Sequence, residues 1–435
     1  MSRLISALGI VVFICIAWLI SSDRRRFPWR TVIAGVALQI AAALFILQAP
    51  FGKNLFEFLN SFVVTVLAHG RKGAELVFGP LAVPPGETGS GGEESMGYFL
   101  FFQGFPIIIF VASIMSMLYY VGIMPWIVEK FAHIFSRVMK ISGVESLVST
   151  NNIFVGIESV FAIRPFLKRL TRSEIHLLLT AGMATIASSV LAFYTQIMKN
   201  DIPQIAGHLI SASLLSAPAA VIMAKTLYPE REKPVTLGKK VRLERHLYSG
   251  DGPPPSSVLD AGVQGSMEGV KLIIGITAML IAFLGIVSLL NAGVAYLGGG
   301  LGIDGLSFEK IIGWILYPFA IISGIAPEDA GEISRLWGLR VLATEVPSYI
   351  QLASLAKEGM DPRSALIGAY GLCGFAHIAG VAIFAGGTAA LVPERRKDLV
   401  HLGTRALLAA NLACFQTAAV AGLCLSSSST IIFNG

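Results

Sequence analysis

Residues 4–22 and 31–49 hold no charged side chain. Each is long enough to cross the ~30 Å hydrocarbon core of a bilayer, which takes about 20 apolar residues in a helix. Comparable runs recur at 98–121, 175–197, 205–224, 270–297, 365–391 and 402–425. This recurrence constrains the fold more than any motif, because it commits the chain to an all-α polytopic membrane protein of about eight transmembrane helices. Composition agrees: 14% of the 435 residues are charged and 54% hydrophobic, where a soluble domain carries roughly 25% charged residues, and the mean hydropathy is +0.71. Little length remains for a water-soluble domain.

The net charge of +6 does not mark a nucleic-acid surface, since the basic residues sit in short loops, where they orient helices. No nucleic acid is expected as a partner; lipid is. Arg24, Arg25 and Arg26 place the first turn in the cytoplasm, so the N-terminus faces out. Residues 4–22 resemble a signal peptide but lack a small-residue cleavage site, and are read as an uncleaved first span. The cysteines at 15, 373, 414 and 424 show no ligand spacing and are read as packing residues.

Two stretches depart from the simple pattern. Residues 51–78 and 126–140 mix apolar and charged residues at helical spacing, as in helices lying on the membrane surface. Residues 141–163 are flanked by basic residues on both sides, Lys140 before and Arg164, Lys168, Arg169 and Arg172 after, yet contain Glu145, Asn151, Asn152 and Glu158. A charge at mid-bilayer costs about 2.5–3.5 kcal/mol on insertion scales. A re-entrant hairpin, entering and leaving on the cytoplasmic face, satisfies both facts.

Residues 331–355 form a second polar-interrupted stretch, with Glu332, Arg335, Arg340, Glu345 and Pro347, read as a hairpin from the outer side. Residues 308–323 either span or lie at the outer surface. Hairpin followed by two spans thus occurs twice with opposite orientation, which is an inverted repeat. The expected organisation is scaffold helices and an interfacial helix in 1–122, a first repeat in 123–225, a loop, scaffold span and outer helix in 226–325, and a second repeat in 326–435. In such repeats the paired interrupted segments mark a transporter's substrate site.

At the first tip, Gly156 permits a break among oxygen-bearing side chains, and broken helices free carbonyls for a hard monovalent cation. The plainer reading is a polar hairpin bonded to its neighbours. At the second tip Glu345 stands beside Pro347, where a carboxylate can accept from substrate hydroxyls; its plainer role is a salt bridge to Arg340 or Arg335. His377, in the apolar helix that follows, is as readily a satisfied core residue as a ligand.

Several segments resemble the concentrative nucleoside transporter family over nearly the whole chain. They are Asn152-Ile153-Phe154-Val155-Gly156, Arg164-Pro165-Phe166, Met183-Ala184-Thr185-Ile186-Ala187 with Ser189-Val190-Leu191, Asp260-Ala261 leading into Ala278-Met279-Leu280-Ile281-Ala282-Phe283, and Leu372-Cys373-Gly374-Phe375-Ala376. The resemblance implies eight core helices, two opposed hairpins, interfacial helices and a homotrimer. It implies sodium as coupling ion, held by Asn152, the Val155 carbonyl, Thr185 and the Ile186 carbonyl. It also implies a substrate site at Gly156, Ile157, Glu158, Ser159, Val190, Glu345, Phe375, His377 and Gly380.

The match is not uniform. The family's base-recognition motif, Gly-Gln-Thr/Ser-Glu, reads here Gly156-Ile157-Glu158-Ser159, and the expected Asn and Ser of the ribose side are His377 and Gly380. Losing a matched polar partner costs up to about 10⁴- to 10⁵-fold in discrimination. The expectation is a sodium-driven symporter of the cytoplasmic (inner) membrane that imports a nucleoside or a related polar small molecule. One rival keeps the fold but couples to protons through Glu158, Glu345 and His377 and carries a non-nucleoside substrate. An intramembrane enzyme, with His377 and Glu345 as an acid/base pair, is the other rival; no nucleophile or metal set supports it, and no catalytic residue is assigned.

Overall fold

A computed structural model describes residues 2–202, 204–241, 243, 253–300 and 305–425; the side chains at 157 and 158 are outside the described residues. The first two runs form α1 (Ser2–Leu19) and α2 (Trp29–Leu47). α3 (Pro50–Phe78) starts on a proline, whose missing N–H costs nothing in a first turn, and is the expected amphipathic helix. In the Gly/Pro-rich loop after it, Gln103 Nε2 donates to the carbonyls of Leu81 (3.0 Å), Val83 (3.0 Å) and Gly97 (2.6 Å), while Glu75 and Arg71 of α3 engage Ser90 and Glu87. A π-helical turn at Leu100–Gly104 leads into α4 (Pro106–Val121). Gly122, at φ +92°, ends α4 and turns the chain into amphipathic α5 (Ile123–Met139).

The first hairpin is α6 (Gly143–Asn151) returning as a 3₁₀ segment, Ile157–Arg169. α7 (Arg172–Ala184), α8 (Ser188–Met198) and α9 (Ile205–Leu227) follow. The expected continuous span over 175–197 is therefore corrected: it breaks at Thr185–Ala187. α10 (Val258–Gly300), 43 residues long, overruns the expected 270–297 at both ends and packs along α4. α11 (Phe308–Ile322) has 15 residues, about 22 Å of helix, too short to cross alone.

The second hairpin is α12 (Pro327–Leu342) with α13 (Glu345–Lys357). α14 (Pro362–Leu372) and α15 (Ile378–Leu391) replace the expected single span over 365–391, with a break at Cys373–His377, and α16 (Arg396–Cys424) closes the bundle. Hairpin, broken helix and long helix thus occur twice in the same order. Among the described residues seven helices are long and apolar enough to cross a membrane, α7 and α8 counting as one; α14 with α15 supplies an eighth crossing in two pieces. The protein is an all-α polytopic membrane protein.

α7, α9 and the 409–424 part of α16 form the buried centre, their apolar residues almost fully enclosed. The two helix breaks meet there. A methyl group on Gly374 would lie 2.8 Å from Cys414 Sγ and 3.0 Å from the backbone carbonyl of Ala184, so any side chain here would push the neighbours apart. Cys414 Sγ lies 3.9 Å from the Ala184 carbonyl and 3.8 Å from that of Cys373.

Both hairpin-side helices begin with a capping box, Ser142 with Glu145 on α6 and Thr171 with Glu174 on α7. Ser142 Oγ also donates to Glu174 (2.7 Å), and buried Lys225 on α9 pairs with Glu145 and with Glu230 (3.3 Å). Glu145 therefore belongs to the base of the hairpin rather than its tip. Arg3 reaches the Leu425 carbonyl (3.2 Å), bringing the two ends of the bundle's first and last helices together.

Candidate functional site

The helix breaks place backbone and side-chain oxygens where a regular helix would consume them. Phe154, in the first tip, accepts from both the backbone N–H (3.0 Å) and the hydroxyl (2.7 Å) of Ser188 at the start of α8. This stitches the 152–156 gap to the 185–187 gap. Asn152, Val155, Thr185 and Ile186 all lie in these two gaps and are buried. Asn152 Nδ2 donates to Val148 (3.0 Å), leaving Oδ1 as acceptor for Ser159 (3.1 Å) with a second lone pair free. Thr185 donates to Ala181 (2.9 Å), so its oxygen likewise keeps acceptor capacity. An amide oxygen, a hydroxyl and two carbonyls released from helix are neutral, hard donors, and this set fits a monovalent cation.

Next to it, a cavity of about 70 Å³ is lined by Gly156, Val190, Thr344, Glu345, Phe375 and His377, and walled on one side by Leu272, Ile276 and Met279 of α10. Five of the sequence-predicted substrate residues thus come together. Ser159 is buried against Asn152 instead of lining the cavity. Gly380 also lies off the lining, its N–H given to His377 Nδ1 (3.0 Å). The side chains of Ile157 and Glu158 are outside the described residues.

Glu345 is the first residue of α13 and is buried. Its Oε1 accepts from the Tyr194 hydroxyl, and the Tyr194 ring stacks on Tyr349 with centroids 4.4 Å apart. Its Oε2 makes no hydrogen bond among the described residues and stands 3.3 Å from His377 Nε2. The expected alternative, a salt bridge to arginine, is not formed. Arg340 donates to the Gly371 carbonyl (2.7 Å) and to Asn411 (2.5 Å), and Arg335 pairs with Glu332 (2.9 Å).

His377 is the N-cap of α15 rather than a mid-helix residue. Because Nδ1 accepts the Gly380 N–H, the ring proton is assigned to Nε2, which faces the carboxylate. Thr344 Oγ1 is buried on the cavity wall without a partner among the described residues. A carboxylate oxygen, a ring N–H and a hydroxyl thus converge on one small space, an arrangement suited to a polyol.

Sequence reasoning missed Tyr194, Thr344 and the α10 wall. Tyr194 sits in an apolar run and gives no local signal. The cavity has room for about two waters and is well below the roughly 300–1,000 Å³ of small-molecule sites, so the tips must part to admit a ligand of nucleoside size.

Three family models match in succession along the chain. Na+ dependent nucleoside transporter N-terminus covers residues 8–81, nucleoside recognition covers 101–201, and Na+ dependent nucleoside transporter C-terminus covers 208–422. Solute carrier family 28 member 3 of Homo sapiens is 36% identical over 98% of this chain and 60% of its own length. The chain thus spans about 60% of that relative. An uncharacterized transporter of Haemophilus influenzae is 33% identical over 97% of this chain and 98% of its own. The solved structure of CNTnw in an inward-facing substrate-bound state is 30% identical, with a TM-score of 0.85 over 98% of each chain.

Proposed function

The chain belongs to the Na+ dependent nucleoside transporter family, and from that premise we propose that it is a secondary active symporter importing a nucleoside or closely related polar molecule on a sodium gradient. The observation that carries the reading is Glu345 Oε2, a buried acceptor on the cavity wall whose one neighbouring donor among the described residues is His377 Nε2, at 3.3 Å. A ribose diol offers two donors to such a carboxylate. Phe375 supplies an apolar face, and Glu158 stands in for the family's base-recognition pair, Ser159 being taken up by Asn152.

Sodium would be held by Asn152, the Val155 carbonyl, Thr185 and the Ile186 carbonyl, and when bound it would supply positive charge at the hairpin tip. Because Phe154 and Ser188 join the two gaps, ordering the ion donors also orders Gly156 at the edge of the cavity. The repeats at 123–225 and 326–435 carry the hairpins and move against the scaffold formed by 1–122 and 226–325. The protein assembles as a homotrimer in the cytoplasmic (inner) membrane, crossing it several times. Proton coupling through His377 is opposed by its cap, since a doubly protonated ring could not accept from Gly380.

The test is uptake of labelled uridine into proteoliposomes at constant pH, with an inward sodium gradient or with choline in its place. Accumulation above equilibrium in sodium alone is expected. Accumulation driven by a pH gradient without sodium would overturn the coupling, and no uptake of any nucleoside would overturn the substrate class.

A further inference from the structure

A second hollow, of about 340 Å³ and sharing no lining residue with the first cavity, opens between α5, the start of α6 and the 239–241 segment. Its volume falls in the range of small-molecule sites, about 300–1,000 Å³, but its lining is basic: Lys130, His133, Lys239 and Lys240 against a single acid, Glu129. Glu129 is engaged by the Leu243 backbone N–H (3.1 Å). Among the described residues none of the three lysines has a carboxylate partner. Lys130 instead lies over the Trp126 ring, 5.9 Å from its centroid.

Two further observations locate this hollow at a lipid surface. α5 buries Met124, Val128, Phe135 and Met139 against the bundle while leaving Trp126, Ile134 and Val138 exposed. An exposed tryptophan and aliphatics interleaved with Lys130, Arg137 and Lys140 are what a helix at headgroup level presents. The positive field is also felt locally: desolvation first, then the charges of Arg137, Lys240 and Lys130, push His133 below its ordinary value. An anion placed here would relieve that repulsion.

We propose that the hollow between α5 and the 239–241 segment binds the headgroup of an anionic phospholipid. The lysines neutralise the phosphate, Trp126 and the exposed aliphatics of α5 hold the acyl side, and Gly143, whose Cβ would collide with the Lys239 carbonyl, lets that segment lie close over α6. Basic pockets on the cytoplasmic side of helix bundles have this chemistry. An occupant here would bridge α5 and the base of the first hairpin, so lipid composition would bear on hairpin mobility.

The experiment is native mass spectrometry of the full chain in detergent with phosphatidylglycerol, phosphatidylcholine or inorganic phosphate. Retention of phosphatidylglycerol over phosphatidylcholine is expected. The variant Lys239→Gln/Lys240→Gln should weaken it by about fivefold per lysine removed, while Arg396→Gln/Lys397→Gln, the same charge change elsewhere, should leave it unchanged. Equal loss in both variants, equal retention of the two lipids, or retention of phosphate but not of phosphatidylglycerol would each overturn the proposal. Uptake by the Lys239→Gln/Lys240→Gln variant distinguishes this site from the substrate cavity, since transport itself should persist.

Discussion

His377 presents Nε2 to Glu345 Oε2 at 3.3 Å while its Nδ1 accepts the Gly380 N–H at 3.0 Å, so one ring both caps a half-helix and faces the buried acid. Replacing it separates the two roles. His377→Ala loses the cap, worth about 1 kcal/mol, and should lower both Tm and uptake. His377→Asn retains an acceptor for Gly380 and should hold Tm near the parent. Identical melting losses in the two variants would show that the cap contributes nothing.

Tyr194 fixes the other carboxylate oxygen of Glu345. Tyr194→Phe keeps the stacking on Tyr349 but leaves Oε1 without its donor, a loss of about 1–3 kcal/mol for a buried charged acceptor. Substrate affinity should fall correspondingly, with sodium binding unaltered. Isothermal titration of each ligand separately would read this, and a fall in sodium affinity alone would contradict it.

Sodium should raise the melting temperature of the purified protein. At a concentration 100 times Kd the stabilisation is about 2.7 kcal/mol. Asn152→Ala and Thr185→Val each remove one oxygen donor and should shrink or abolish the sodium-dependent shift, with no change when choline replaces sodium. A parent protein whose melting is the same in both salts would remove the premise.

Lys225 is the only cation against Glu145, Glu174 and Glu230 in the buried cluster at the base of the hairpin, among the described residues. Lys225→Met should destabilise the protein by about 3–5 kcal/mol, the cost of leaving a buried carboxylate uncompensated. Adding Glu145→Gln should recover part of the loss. Additive losses in the double variant would show that the two residues are not coupled.

Restoring the family's amide at the base side should tune selectivity. Ile157→Gln with Glu158→Thr is expected to improve uridine affinity on the order of 2- to 10-fold, the range of one or two hydrogen bonds. Ser159 should be kept, because its hydroxyl serves Asn152. Competition uptake assays give the readout, and no gain for any nucleoside would count against a nucleoside-shaped pocket.

Much of the architecture was legible in hydropathy and charge. Uncharged runs located the spans, the basic residues on both sides of Ile141–Ile163 marked a hairpin, and Glu345 beside Pro347 marked the second tip. The helix breaks were not legible. Thr185-Ile186-Ala187 contains neither Gly nor Pro, and the segment unwinds because Phe154 takes the N–H and hydroxyl of Ser188, a contact from another part of the chain. At Cys373–His377, Gly374 was a signal, but the apolar run over 365–391 carried a single span through it. His377 was consequently placed mid-helix, whereas it caps a new one. Tyr194 and the α10 wall carry no local mark, since an inward-facing Tyr and an apolar wall look like any buried helix face.

The approach of Gly374 to Ala184 has a mechanical meaning. Peptide planes from the two repeats lean on each other at the one level where neither helix has its own ladder to stiffen it, so a shift of either tip is passed directly to the other rather than absorbed by pliant side chains. The crossing is placed to act as a shared pivot: a ligand seated against the second repeat and an ion seated against the first would load the same joint.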